Sequence, residues 1–199
     1  MDVMEIEKYL EETKYVDYSN PDVKALADRL KRESTDELSL VENTFVFVRD
    51  KVHHSWDAQD RRVTVSASDV LREGVGICWA KSNLLAALLR ANGIPSGFSY
   101  QRLTLNDKCD GDYCIHAMNT VYLRPLDKWI RLDARGNKKG VDAQFSVDEE
   151  KLAFYIKSEG EVDYHNNHSA PDQGLMNVLE ESEDAIDMYL HHLPDHLSE

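Results

Sequence analysis

A cysteine at 78, a histidine at 116 and an aspartate at 133 are the residues whose types could together do covalent chemistry. A thiolate attacks acyl carbons, an imidazole can take and return the proton, and a carboxylate can hold that imidazole in one tautomer. Cys78 stands in "GVGICWAKSNLLAALLR" (74–90), where a Gly-containing turn gives way to a helical pattern. Gly74 and Gly76 allow a tight turn just ahead of it. A thiol in the first turn of a helix faces unpaired N–H groups and the positive end of the dipole, which favour thiolate. Position alone leaves a second reading open, because free cysteine is also among the most buried residue types.

The elements around these residues must bring them together. "NPDVKALADRLKRE" (20–33) reads as a helix, with Asn20 as N-cap and Pro21 in its first turn. In "STDELSLVENTFVFVRDKV" (34–52), Ser34 and Glu37 make a capping-box pattern, and Leu38, Val41, Phe45 and Val48 recur at helical spacing. "SASDVL" (66–71) offers another Ser-capped turn. The helix from Cys78 to Asn92 buries Leu84, Leu85, Leu88 and Leu89, and Gly93 and Pro95 end it. The period then changes. "GFSYQRLTL" (97–105), "IHAMNTVYL" (115–123) and "KWIRLD" (128–133) carry the β-branched and aromatic residues of strands. The last two flank "RPLD" and should pair as an antiparallel hairpin. Ser146 and Glu149 mark one more helix start, and 172–190 reads as helical and acidic. Helices followed by strands predict an α+β fold: a helix bearing the cysteine, packed on an antiparallel sheet, with a helical N-terminal part.

The hairpin poses a difficulty. With a loop over 124–128, Leu123 opposes Trp129 and Asp133 falls opposite Asn119, about 10 Å along the strand from His116. A tighter turn or a bulge would close that gap.

The composition bounds the function classes. With 199 residues the chain is expected to form one domain, with a core over about 36–146, N-terminal helices over 1–35 and a helical tail over 147–199. Its net charge of −14 argues against nucleic acid and against an anionic membrane surface. The N-terminal stretch has neither a cationic nor an apolar region of the signal-peptide kind, so a cytoplasmic location is expected, with the three cysteines as free thiols.

In their order along the chain, "FVFVRDKVHHSWD", "SASDVL", "GICWAKSNLLAALLRANGIPSGF", "HAMNTVYL" and "WIRLDARG" resemble the transglutaminase-like cysteine enzymes of the papain-like fold group. The resemblance runs from about Thr44 to Phe145. It implies Cys78 as nucleophile, His116 as general base and acid, and Asp133 as orienter of His116. It further implies a cysteine-dependent hydrolase that cleaves an amide bond through a thioester, without cofactor or metal. Peptides, proteins and small amides are all compatible substrates. Acyl transfer to an amine, or a non-catalytic peptide-binding module on the same fold, are the alternatives.

Two positions depart from the family pattern: Met118 stands where Trp is common, and Ile77 where crosslinking members usually carry Gln. The first oxyanion donor is expected to be the Cys78 N–H, with Thr64 or Trp56 as the second. Trp79, Met118 and Arg135 are candidate substrate contacts, although packing under the helix suits Trp79 as well. "RGNKKG" (135–140) could receive a substrate carboxylate or be a solvated turn. Cys109, Cys114 and His116 could be zinc ligands by type, but their spacing lacks a C-x-x-C knuckle.

Overall fold

The computed structural model describes residues 3–105 and 113–198. It is an α+β fold with eight helices and six strands among those residues. Helices α1 (Val3–Glu7), α2 (Pro21–Arg32) and α3 (Glu37–Lys51) come first. Strand β1 (His53–His54), helices α4 (Ser55–Ala58) and α5 (Ala67–Glu73) and strand β2 (Val75–Gly76) follow. Helix α6 (Cys78–Ala91) precedes strands β3 (Ser96–Thr104), β4 (Tyr113–Leu123), β5 (Lys128–Leu132) and β6 (Val162–Asp163). Helices α7 (Gln173–Glu181) and α8 (Ala185–His191) complete the order. The sheet is antiparallel in the order β5-β4-β3-β6, while β1 and β2 form a separate parallel pair.

Helix α6 is the centre of the core. Every residue from Trp79 to Arg90 is buried, because α2, α3 and α5 surround it on one side and β3 and β4 on the other. Many of the polar groups inside this core are paired. The Asn119 amide donates to the carbonyls of Ser82 and Gly97 at 3.0 and 3.1 Å, tying sheet to helix. Arg90 donates to the carbonyls of Ser96, Ser169 and Glu11. Such pairing offsets the desolvation of buried polar groups.

Local signals explain most helix starts. Asn20 caps α2 through the Asp22 N–H, and Ser66 with Asp69 forms the capping box of α5. Three expectations need correction. Helix α3 is capped by Asp36 with Ser39 rather than by Ser34 with Glu37. The Asp36 carboxylate takes the Ser39 N–H, while the Ser34 hydroxyl turns back to the Leu30 carbonyl. No helix follows Ser146, since the backbone of this stretch is used in cross-chain bonds, Gln144 N–H to the Lys151 carbonyl and Ala153 N–H to Asp133. Among the described residues, the tail expected to be helical over 147–199 is so only over Gln173–Glu181 and Ala185–His191, with Asp172 and Asp184 capping the two N-termini.

Gly76 is where the glycine requirement is strictest. A Cβ there would meet Thr64 Oγ1 at 2.9 Å and the Ala80 methyl at 3.3 Å. The Thr64 hydroxyl is itself held by the Val75 carbonyl at 2.9 Å, so it cannot step aside freely. Gly76→Ala is therefore expected to destabilise the fold by about 1–3 kcal/mol, read from the midpoint of urea unfolding at unchanged m-value.

Candidate active site

Cys78 is the first residue of α6. Ile77, its N-cap, supplies no side-chain bond, so the first N–H groups of the helix remain without a capping acceptor. The thiol is half-buried and lines a cavity of about 400 Å³ together with His116, His54, Trp56, Arg135 and Tyr189.

His116 lies on β4 and Asp133 just past the end of β5. The hairpin loop is four residues, 124–127, because a single 3-10 turn at Arg124–Leu126 is closed by Asp127 in the left-handed region at φ 48°. Leu123 therefore pairs with Lys128 and Asn119 with Leu132. Continued by one residue, this register sets Asp133 across from Met118, two residues from His116 and on the same face. The one-residue difference from the five-residue loop closes the gap and also selects the face, since adjacent residues of a strand point oppositely.

The outcome is a hydrogen bond of 2.7 Å between His116 Nε2 and Asp133 Oδ2, both residues almost wholly buried. The carboxylate also accepts the Arg135 N–H at 3.2 Å and the Ala153 N–H at 3.0 Å. Burial alone would depress the His116 pKa. The charges and hydrogen bonds of Asp133 and Cys78 outweigh it and raise the pKa well above the ordinary imidazole value. The Asp133 carboxyl is held below its ordinary value against the cost of burial, chiefly by the facing imidazole and by its hydrogen bonds. With Nε2 occupied by the carboxylate, Nδ1 is the nitrogen left for the thiol. Such an arrangement can hold a thiolate beside an imidazolium and return the proton to a leaving group.

One turn further along α6, Lys81 is buried and donates to the carbonyls of Val52, Arg135 and Arg49 at 2.5, 2.9 and 3.4 Å. Burial, with Arg135 adding to it, pushes its pKa down to about 7. This cation ties the cysteine helix to the end of α3 and to the loop that follows Asp133. Arg135 itself makes a two-pronged pair with Asp57, at 2.6 and 3.1 Å, which Lys138 shares at 2.7 Å.

The other candidates separate into wall and scaffold. Trp56 lines the cavity and stacks on Tyr189, ring centroids 4.2 Å apart and nearly parallel. Trp79 reaches the cavity, but its indole N–H donates to the Ile115 carbonyl at 2.8 Å, which anchors helix to sheet. Arg135 lines the wall. Thr64 and Met118 are buried away from it, the former with its hydroxyl committed to Val75. Cys114 lines the cavity, and burial pushes its thiol up to about 12. Cys109 lies outside the described residues, and among the described residues no group of His, Cys, Asp and Glu has the geometry of a metal site. Among them, too, no helix is long and apolar enough to cross a membrane.

Sequence reasoning missed His54 and the roof. His54 lies beside "SWD", where only a strand too short to show a period carries it. The roof is Tyr189 on α8, with Leu193 after it and Phe154 and Tyr155 on the loop after Asp133. The tail is fastened where Ile115 N–H donates to the Pro194 carbonyl at 3.1 Å and Arg102 to the Asp195 carbonyl at 2.9 Å.

Comparisons with known proteins agree with this architecture. Residues 24–134, more than half of the chain, match the transglutaminase-like superfamily. Among curated proteins, none matches. A solved structure from Cytophaga hutchinsonii, described as a candidate cysteine protease, is similar with a TM-score of 0.55 at 24% identity, over 68% of this chain and 43% of its own. The periplasmic domain of TgpA from Pseudomonas aeruginosa is similar with a TM-score of 0.51 at 20% identity, over 67% and 48%. This chain thus spans less than half the length of either, and at these identities the likeness is one of fold.

Proposed function

The chain belongs to the transglutaminase-like superfamily, and from that membership and the chemistry of its cavity we propose that it is a cysteine-dependent hydrolase of amide bonds. One observation carries the reading: the buried 2.7 Å bond between His116 and Asp133, in a cavity wall shared with a cysteine at an uncapped helix start. The Cys78 thiolate attacks the acyl carbon, and the carbonyl electrons move onto oxygen. Collapse expels the amine, which takes a proton from the His116 imidazolium, and leaves a thioester. His116, now neutral, deprotonates water as it attacks the thioester; the acid leaves, and the thiolate–imidazolium pair is restored. Asp133 keeps the imidazole oriented and its positive charge stabilised throughout.

Hydrolysis is favoured over transfer to an amine, because crosslinking needs a site that admits an amine and excludes water, and Cys78 keeps part of its surface open to the cavity. The test is mass spectrometry of the protein after brief exposure to p-nitrophenyl acetate and quenching in acid. An acetyl adduct on the Cys78 peptide, released at neutral pH over minutes, is the expected result. Cys114 should stay unmodified, since a thiol with a pKa near 12 offers almost no thiolate at neutral pH. An adduct shared equally by both cysteines, or none at Cys78, would defeat the reading and favour a peptide-binding role for the cavity.

A further inference from the structure

The acyl oxygen in such a reaction needs two donors, and the Cys78 N–H can be only one of them. His54 ends β1, and its backbone is paired in parallel register with Gly76, two residues before Cys78. Its neighbour His53 points outward, whereas His54 is buried with 7% of its surface exposed and forms part of the cavity wall. Among the described residues, nothing pairs with its Nδ1. A buried ring nitrogen without a partner is costly, and native proteins retain few of them. Among the same residues Nε2 has no protein partner either and, unlike Nδ1, is not shut off from solvent, so it is the ring nitrogen a ligand in the cavity can reach.

The imidazole is also of the right charge type. Burial first, and the Arg135 guanidinium second, depress its pKa well below the ordinary value. Lys81 and His116 act in the same direction, and Asp57 opposes them. His54 is thus neutral at physiological pH, with one N–H to donate and no acidic proton to surrender. His116 is tuned the opposite way by Asp133. Two imidazoles in one cavity therefore have divergent environments, the pattern expected of groups with separate roles. Neither expected alternative has this combination. The Thr64 hydroxyl is committed to Val75 away from the cavity, and Trp56 is pinned face-on by Tyr189.

We propose that His54 is a catalytic residue of this site, donating a hydrogen bond from its neutral ring to the acyl oxygen as it becomes an oxyanion. This rests on the reading of Cys78 as the nucleophile. No bond to His54 forms or breaks; its proton stays on the ring while negative charge builds up on oxygen and collapses again.

The experiment compares two reactions of Cys78 in the full chain, acylation by p-nitrophenyl acetate and alkylation by iodoacetamide. Acylation passes through an oxyanion, whereas alkylation displaces iodide and forms none. His54→Phe is expected to slow acylation about 10²-fold, the usual loss for one oxyanion donor, while alkylation stays within about twofold. His54→Gln keeps an N–H donor at similar reach and should recover part of the loss. It also carries the test if the Phe variant does not fold. Equal slowing of both reactions would place His54 on the thiol rather than the oxyanion, and overturn the proposal. So would acylation at the wild-type rate in both variants, or a loss that instead follows Trp56→Phe. A wild-type protein acylated nowhere at Cys78 would bring down the nucleophile reading itself, and this proposal with it.

Discussion

Cys78→Ala is expected to lower kcat/KM for any ester or amide that the protein turns over by at least about 10⁴-fold, with folding unchanged. The size follows from how such residues act as a unit. Removing the nucleophile removes the acyl-enzyme route entirely, and what remains is the small rate owed to binding and oxyanion stabilisation. The substitution should be structurally mild. Cys78 is half-buried at the first position of α6, alanine is the best helix former, and among the described residues the thiol donates to no backbone group on which the helix start depends. Steady-state rates with p-nitrophenyl acetate, next to a urea melt of the same preparation, check both halves. Turnover surviving in Cys78→Ala within tenfold of wild type would show that the activity lies elsewhere.

Asp133→Asn is the second large effect, and it has three readouts. Turnover should fall by about 10³- to 10⁴-fold, because an amide that donates to Nε2 leaves the imidazole in the wrong tautomer. The alkaline limb of the pH–alkylation profile should move to lower pH. Asp133 is a main contributor to the raised pKa of His116, so without its charge the imidazolium loses its proton earlier. Stability should fall by about 3 kcal/mol at neutral pH, since breaking one side of a buried pair leaves the other unsatisfied. The sign of its pH dependence is set by both partners. The lowered pKa of Asp133 contributes stability that is present above the unfolded carboxyl pKa and lost as pH falls through the folded value. The raised pKa of His116 contributes stability that is full below the unfolded imidazole pKa and lost as pH rises through the folded value. The difference between wild type and Asp133→Asn should thus be greatest from mildly acidic to neutral pH and shrink on further acidification. A difference that grows with acid would contradict the pairing.

His54, by contrast, is expected to change one step and not the other, which sets it apart from Asp133. Loss of Asp133 should slow alkylation and acylation alike, because it acts through His116 on the thiolate. The two variants measured side by side therefore separate the group that prepares the nucleophile from the group that receives the negative charge.

What could be read from the residues was what neighbours along the chain determine. Asn20 with Pro21 and Ser66 with Asp69 announce their helices, because capping bonds span two or three residues. Gly76 before Cys78 marks the close approach that the fold requires. Alternation along 115–123 assigns His116 to one face of its strand, and the order of the motif blocks indicates the superfamily. Even here, Asp36 displaced Ser34 as the cap of α3, since two plausible capping residues two positions apart compete and only packing selects.

The tertiary structure alone decided how these pieces meet. Whether Asp133 reaches His116 depends on one residue of loop length, settled when Asp127 takes a left-handed conformation that no local pattern demanded. His54 sits on a two-residue strand, too short for any period to reveal which way it faces. Phe154, Tyr155 and Tyr189, outside the matched residues 24–134, complete the cavity lining, and the segment after α8 is held by bonds such as Ile115 N–H to the Pro194 carbonyl. Capping and alternation are energies of adjacent residues and so are written locally. Register, burial without a partner and the closing of a cavity are sums over groups far apart in the chain, and only the folded molecule adds them up.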